Sequence, residues 1–202
     1  TPVGDPLPDA QEPGEPITIT FGERTGADVA NVTRDSTIRE DRPLDNYGTS
    51  TVFAPDADPN QRGLLRIDTS AIPSSAEVLA VELEVYVSNP IEEGQVQVHQ
   101  LLEDWNEDQT NWRDRRSNQR WTAAGAGIGS HAAAVMGTLP VDIEGAYTMQ
   151  LSVEVVQQWV SSPSANHGML WISTSTTGRG AELKSRDSSI ATARPLLRVT
   201  YR

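Results

Sequence analysis

The segment Glu77–Val87 constrains the fold more than any other feature of the sequence. Every second position in it is aliphatic: Leu79, Val81, Leu83, Val85 and Val87. Successive side chains of a β-strand point to opposite faces, so one face of this strand is wholly aliphatic and the other is mixed. That pattern is typical of a sandwich strand, which buries one face against a second sheet.

Shorter segments with strand character recur along the rest of the chain, separated by Gly, Pro, Asn and Asp. They are Ile17–Phe21, Ser36–Arg39, Ser50–Ala54, Gly63–Ile67, Gln95–Leu102, His131–Met136, Ala146–Gln150, Met169–Thr174, Ala181–Lys184 and Leu196–Tyr201. One helix is expected near residues 152–161, where Val153, Val156 and Trp159 recur at helical spacing after Ser152, a suitable N-cap. The sequence therefore predicts an all-β fold, a two-sheet antiparallel β-sandwich of jelly-roll-like type with one short helix.

Charge and composition exclude several classes of partner. The 202 residues include 28 acidic and 16 basic side chains, for a formal net charge of −12. Nucleic acids bind through clustered cations, so a nucleic-acid partner is excluded. No apolar run approaches the roughly 18 residues of a membrane-spanning helix, so no membrane insertion is expected. The chain has no cysteine, which leaves no disulfide framework and no thiolate ligand.

Residues 1–16 differ from the rest of the chain. They contain five prolines and four acidic residues and no cation. Such a segment has too little apolar surface to order itself, so it is either a solvated linker or docks on another surface. We therefore expect a Pro-rich acidic N-terminal extension, residues 1–16, before a single β-sandwich domain, residues 17–202. Docking of residues 1–21 at a sheet edge of a neighbour would make the protein a subunit of an extracellular filament or surface layer.

Several motifs carry a family resemblance, in the same order along the chain. They are Asp45-Asn46-Tyr47-Gly48-Thr49, Leu64-Leu65-Arg66-Ile67-Asp68 with Ile72-Pro73, Trp105-Asn106-Glu107, Asn166-His167-Gly168 and Ser185-Arg186-Asp187. Together they resemble the DNRLRE domain family of extracellular β-sandwich modules, several of which are grouped with carbohydrate-binding modules. Ile67, in place of an aromatic residue, and Asp187, in place of Glu, depart from the family pattern. The resemblance implies a sandwich fold, a location outside the cell or on its surface, and polysaccharide binding.

The strongest candidate for a ligand site is the segment around Trp121. Sugar-binding modules use exposed aromatic rings as stacking platforms, and Trp121 has polar neighbours that favour exposure. Arg115, Arg116 and Arg120 add a basic cluster, which suits an acidic polysaccharide such as a uronate polymer. The alternative is a solvated loop whose arginines offset nearby acidic residues. Tyr47, beside a turn, is a further candidate for stacking on a sugar.

Arg66 lies in the otherwise apolar segment Gly63–Ile67. Its guanidinium must find acceptors if it is buried, so it either forms a structural ion pair with Asp187, Glu107 or Asp68 or binds a ligand.

No cofactor is expected. Asp56, Asp58 and Asn60 alternate as in a calcium loop, but no glutamate follows at the required offset, so calcium is only an alternative to a plain acidic turn. The sequence also contains no catalytic motif such as G-x-S-x-G or H-E-x-x-H. We therefore expect a binding module rather than an enzyme.

Overall fold

The structure, a computed structural model, describes residues 14–90, 94–176 and 180–202. Within these ranges the chain forms fourteen strands and one α-helix. The strands are β1 (Ile17–Gly22), β2 (Thr33–Arg39), β3 (Val52–Phe53), β4 (Asp56–Ala57), β5 (Asn60–Ile67), β6 (Val78–Asn89), β7 (Gln95–Leu101), β8 (Asp114–Arg116), β9 (Gln119–Arg120), β10 (His131–Pro140), β11 (Gly145–Gln150), β12 (Met169–Ser173), β13 (Glu182–Lys184) and β14 (Leu196–Tyr201). The helix α1 is Val153–Ser161, and short 3₁₀ turns occur at Pro163–Ala165 and Ala191–Ala193.

Two antiparallel sheets of six strands make up the body of the fold. Sheet A has the order β1-β14-β6-β13-β3, with β11 also paired to β6. Sheet B has the order β10-β7-β12-β5-β2, with β4 also paired to β5. The strands β8 and β9 form a separate two-stranded hairpin. The predicted β-sandwich fold class is therefore confirmed.

The main core lies between the two sheets and is built by alternating residues of their strands. Val81, Leu83, Val85 and Val87 of β6 are fully buried there, as their spacing predicts. At the start of β6, however, Val78 rather than Leu79 is buried. The pairing of β6 with β14 shifts by one residue at this point, since Tyr201 lies opposite Val78 and Thr200 opposite Ala80. A shift of this kind turns the flanking residue to the other face.

Helix α1 closes the core beside β6. Ser152 is its N-cap, and the Ser152 hydroxyl accepts a hydrogen bond from the backbone N–H of Val155. Val156, Trp159 and Val160 form its buried side, the face that helical spacing predicts. No helix of the described residues has the length and apolar character needed to span a bilayer.

The strand β1 pairs within its own chain. It runs antiparallel to β14, from Ile17 opposite Tyr201 to Gly22 opposite Leu196. Residues 1–13 of the predicted extension lie outside the described residues. The division into residues 1–16 and 17–202 therefore stays a prediction, as does self-association through residues 1–21.

Three short strands were not expected from the sequence. β4 forms where an acidic turn is predicted, and β8 and β9 form within the arginine-rich segment. The ten short segments expected as strands all contain one, with bounds that differ by a few residues.

Candidate functional site

The outer face of sheet B carries a second hydrophobic cluster. Leu64 of β5 and Leu170 of β12 point away from the main core, to which the adjacent Leu65 and Met169 belong. The segment 103–130 covers these residues with three tryptophans: Trp105, Trp112 and Trp121. This face of sheet B therefore carries a second packed layer, which the loop and hairpin that follow β7 cover.

The exposure predicted for Trp121 is wrong. Its ring is 3% exposed and packs in this second cluster, and its Nε1 donates a hydrogen bond to the backbone oxygen of Asn111 at 3.0 Å. The polar neighbours Arg115, Arg116 and Arg120 lie on the hairpin β8–β9, part-exposed or exposed, while Trp121 turns inward just after it. A buried ring presents no face to a sugar, so Trp121 is not a stacking platform in this structure.

The predicted basic cluster is partly neutralised by Asp104. The Asp104 carboxylate pairs with the guanidinium of Arg115 and lies 2.6 Å from Nη1 of Arg116. The side-chain oxygen of Gln119 accepts hydrogen bonds from both arginines at 2.7 Å. Arg120 is exposed. Gln119 thus holds Arg115 and Arg116 together, and the Asp104 carboxylate offsets part of their positive charge.

Tyr47 contacts a different arginine. The guanidinium carbon of Arg39 is 5.8 Å from the centre of the Tyr47 ring, and the bidentate partner of Arg39 is Asp41. Nothing in the structure tests a ligand role for Tyr47, Arg115, Arg116 or Arg120, and such a role stays a prediction.

A cleft of about 440 Å³ opens beside Asp104. Its walls include Arg34 of β2 and Arg66 of β5, together with Asp68, Asp104 and His167. Arg34 and Arg66 lie directly opposite each other in the antiparallel pair β2–β5, so both side chains project from the same face of sheet B. The cleft thus places two cations side by side on a chain of strong negative charge.

Arg66 has a stacking partner but no polar one. Its guanidinium carbon lies 5.6 Å from the centre of the Trp105 ring, close enough for a cation–π interaction. Its side chain forms no hydrogen bond or ion pair with the described residues, so the ion pair expected with Asp187, Glu107 or Asp68 is not found. Burial lowers the pKa of Arg66 and neighbouring Arg34 adds to the effect, but an arginine remains charged.

Arg34 is better compensated than Arg66. Its Nη1 donates to the backbone oxygen of Thr33 at 2.6 Å, and its Nε is 3.6 Å from Oε2 of Glu107. The same carboxylate oxygen lies 3.7 Å from Nη1 of Arg186. Glu107 therefore anchors Arg34 from behind the cleft and leaves Arg66 as the less satisfied of the two cations.

Hydrogen bonds to neighbouring segments hold the backbone around His167 in place. The Asn166 amide donates to the carbonyl of Ile67 at 2.8 Å, and the indole Nε1 of Trp105 donates to the carbonyl of His167 at 2.9 Å. The next residue, Gly168, has a φ of +84°, which favours glycine. The sequence motif Asn166-His167-Gly168 is thus a rigid turn that fixes an imidazole at the cleft.

A buried acidic network supports the same end of the sandwich. Asp35 of β2 is 1% exposed, and its Oδ2 accepts the backbone N–H of Arg186 at 2.7 Å. Its own N–H donates to Oε1 of Glu107 at 2.8 Å, whereas its Oδ1 has no partner among the described residues. Burial raises the pKa of Asp35 to about 8 and the nearby carboxylate of Glu107 adds to the rise. We therefore expect Asp35 to be protonated at neutral pH.

The acidic turn at Asp56 and Asp58 forms no cluster of ligands. Among the described residues, no group of three acidic or histidine side chains is placed to hold a metal ion. The turn contains a hydrogen bond from the N–H of Asp58 to Oδ1 of Asp56. Calcium binding stays untested.

The fold defines the class of protein, a two-sheet antiparallel β-sandwich domain. The sequence profile of carbohydrate-binding module family 96 matches residues 27–201, which is most of the chain. The protein therefore belongs to carbohydrate-binding module family 96. A search of curated proteins finds no match. The match supports the class that the sequence resemblance implies, while the DNRLRE name itself stays a resemblance.

Proposed function

We propose that this protein is a non-catalytic module that acts outside the cell, and that it binds an acidic polysaccharide in the cleft between Arg34 and Arg66. Family membership supports carbohydrate as the ligand class. The observation that carries the choice of an acidic ligand is the side chain of Arg66, which lines the cleft with its donors unused by the described residues.

The geometry of Arg66 suits a carboxylate. A guanidinium presents donors in a planar fork that matches both oxygens of a carboxylate at once. The Trp105 ring holds the guanidinium beside it through a cation–π contact. A uronate carboxylate bound to Arg66 would also approach Arg34, its cross-strand neighbour. Each charged hydrogen bond of this kind contributes about 1.5–3 kcal/mol.

The acidic walls of the cleft suit the rest of a sugar. Asp68 and Asp104 line it together with the two arginines, and carboxylates accept hydrogen bonds from hydroxyl groups. A ligand that alternates acidic and hydroxyl groups therefore meets complementary partners. A neutral glycan would leave the charge of Arg66 unpaired on binding, which disfavours it.

The filament alternative requires a strand to be donated to a neighbour. In the structure β1 is paired with β14 of its own chain, so no observation favours this function over binding. Sedimentation of the full chain at high concentration tests it, because a monodisperse monomer would exclude polymerisation.

Affinity electrophoresis tests the binding proposal. The gels would contain polygalacturonate, polymannuronate, dextran sulfate or neutral dextran. We expect retardation by at least one polyuronate and none by neutral dextran. The variant Arg66→Met keeps the aliphatic stem beside Trp105 but removes the fork, and its affinity should fall about 10-fold to 100-fold.

Two matched variants complete that experiment. Arg202→Ala removes an arginine that pairs with Glu77, away from the cleft, and should bind as the unmodified protein does. Arg120→Ala tests the exposed hairpin that the sequence nominates. Retention of full affinity by Arg66→Met, or equal losses in all three variants, would refute the cleft as the site. Release of new reducing ends from the bound polymer would refute the non-catalytic part.

A further inference from the structure

We propose that His167 is a ligand-contacting residue of the cleft and takes up a proton when the cleft binds an acidic polysaccharide, so that affinity rises as the pH falls. This inference rests on the proposed function and adds the regulation of that same site. It starts from the position of the imidazole, which lines the cleft together with Arg66 and Asp104.

The ring of His167 is free to change its protonation state. It forms no hydrogen bond with any residue of the described ranges, although its backbone is fixed by Trp105 and by the turn that follows. A neutral imidazole keeps one nitrogen with a lone pair, to which a proton from solvent can bind. Protonation therefore needs no rearrangement of the turn.

The charges around His167 oppose one another in the free protein. Burial lowers its pKa, and Arg66 and Arg115 lower it further, whereas Asp104 and Glu103 act in the opposite direction. Asp68 and Arg34 also line the cleft. These groups come from β2, from β5 and the residues that follow it, from the segment after β7, and from β8. The 3₁₀ turn Pro163–Ala165 also lines the cleft but contains no charged residue. The empty cleft therefore holds the pKa of His167 below that of an imidazole in water.

A bound polyanion reverses that balance. A carboxylate on Arg66 neutralises one of the cations that oppose protonation, and it adds a negative charge close to the imidazole. Because binding and protonation are linked, the ligand must raise the proton affinity of His167 by the same factor by which the proton raises ligand affinity. Uronate carboxylates are already ionised above pH 5, so the ligand itself does not titrate in this range.

Isothermal titration with hexameric mannuronate and galacturonate oligosaccharides at pH 5, 6, 7 and 8 tests the proposal. Affinity should be about fivefold or more higher at pH 5 than at pH 8. The variant His167→Gln should lose most of this dependence. The control His131→Gln should keep it, because His131 lies elsewhere, with Nδ1 bonded to the carbonyl of Ala126. A second control, Asp35→Asn, measures how much of the pH dependence of affinity comes from the buried carboxyl group of Asp35.

A second readout distinguishes uptake of a proton from a structural effect of the substitution. Titrations at pH 6.5 in phosphate and in imidazole buffer differ in apparent enthalpy if binding takes up a proton, and His167→Gln should remove the difference. Binding that is equally strong at all four pH values, or without proton uptake, would overturn the role of His167 and leave the proposed function standing. Absence of binding at every pH would overturn both.

Discussion

Replacement of Asp35 by Asn should stabilise the protein by an amount that increases with pH. The folded state raises the pKa of this carboxyl group to about 8, chiefly through burial, whereas an unfolded chain restores a value near 4. Between these two values the unfolded protein releases the proton of Asp35 and the folded protein retains it. Folding stability contributed by this group is therefore fully present below pH 4 and is lost as the pH rises towards 8.

The magnitude follows from the linkage. Each pH unit within this window changes the free energy of unfolding by about 1.4 kcal/mol for one proton. Asparagine does not titrate, so its advantage over aspartate in the free energy of unfolding should grow by about 3 kcal/mol between pH 5 and pH 7. The amide oxygen can keep the hydrogen bond from the N–H of Arg186. The amide nitrogen can take the position of Oδ1, which has no partner among the described residues.

Urea unfolding at pH 3, 4, 5, 6 and 7, followed by tryptophan fluorescence, measures the free energy of unfolding of the original protein and of each variant. A control of opposite sign is Glu84→Gln. Burial of Glu84 is outweighed by hydrogen bonds from Arg24 and Arg198, and its pKa is lowered. Glu84→Gln should therefore lower the free energy of unfolding, and this loss should become smaller as the pH falls below the pKa of Glu84 in the unfolded chain. A difference between Asp35→Asn and the original protein that stays constant from pH 5 to pH 7 would refute the reasoning.

Two further variants test the packing around the site. Trp121→Ala should lower the free energy of unfolding by about 3–5 kcal/mol, since the ring is buried in the second cluster; a change below 1 kcal/mol in urea unfolding would contradict that burial. Gly168→Ala should destabilise by at least about 1–2 kcal/mol, because φ is +84° and a Cβ would lie 2.5 Å from the carbonyl of Leu65; an unchanged melting temperature would contradict this conformation of the turn.

The sandwich was readable from the sequence because its strands repeat with a period of two. The β6 alternation places Val81, Leu83, Val85 and Val87 correctly, since each position depends only on its neighbours in the strand. The burial of Val78 in place of Leu79 could not be predicted from the sequence, because it arises from the register of β6 against β14. Local periodicity cannot report a shift that a distant strand imposes.

The candidate site was less accessible to sequence reasoning. Trp121 has polar neighbours, and only the folding of segment 103–130 onto sheet B shows that its ring turns inward. Arg66 was recognised by its position in an apolar strand, which is a local signal. Arg34, Asp104 and His167 carried no such signal, because they meet Arg66 only through strand register and loop packing.

The pairing of β1 with β14 has a mechanical consequence. Ile17 and Tyr201 are partners at one end of the ladder, and Gly22 and Leu196 are partners at the other. A pulling force applied between residues 17 and 201 therefore acts perpendicular to the two strands. It breaks their hydrogen bonds one after another, beginning at the end of the ladder where the force is applied. Unzipping would reach the fully buried Phe21 only after the exposed Ile17 and the half-buried Ile19 had separated. Under tension the sandwich should yield first at this edge of sheet A.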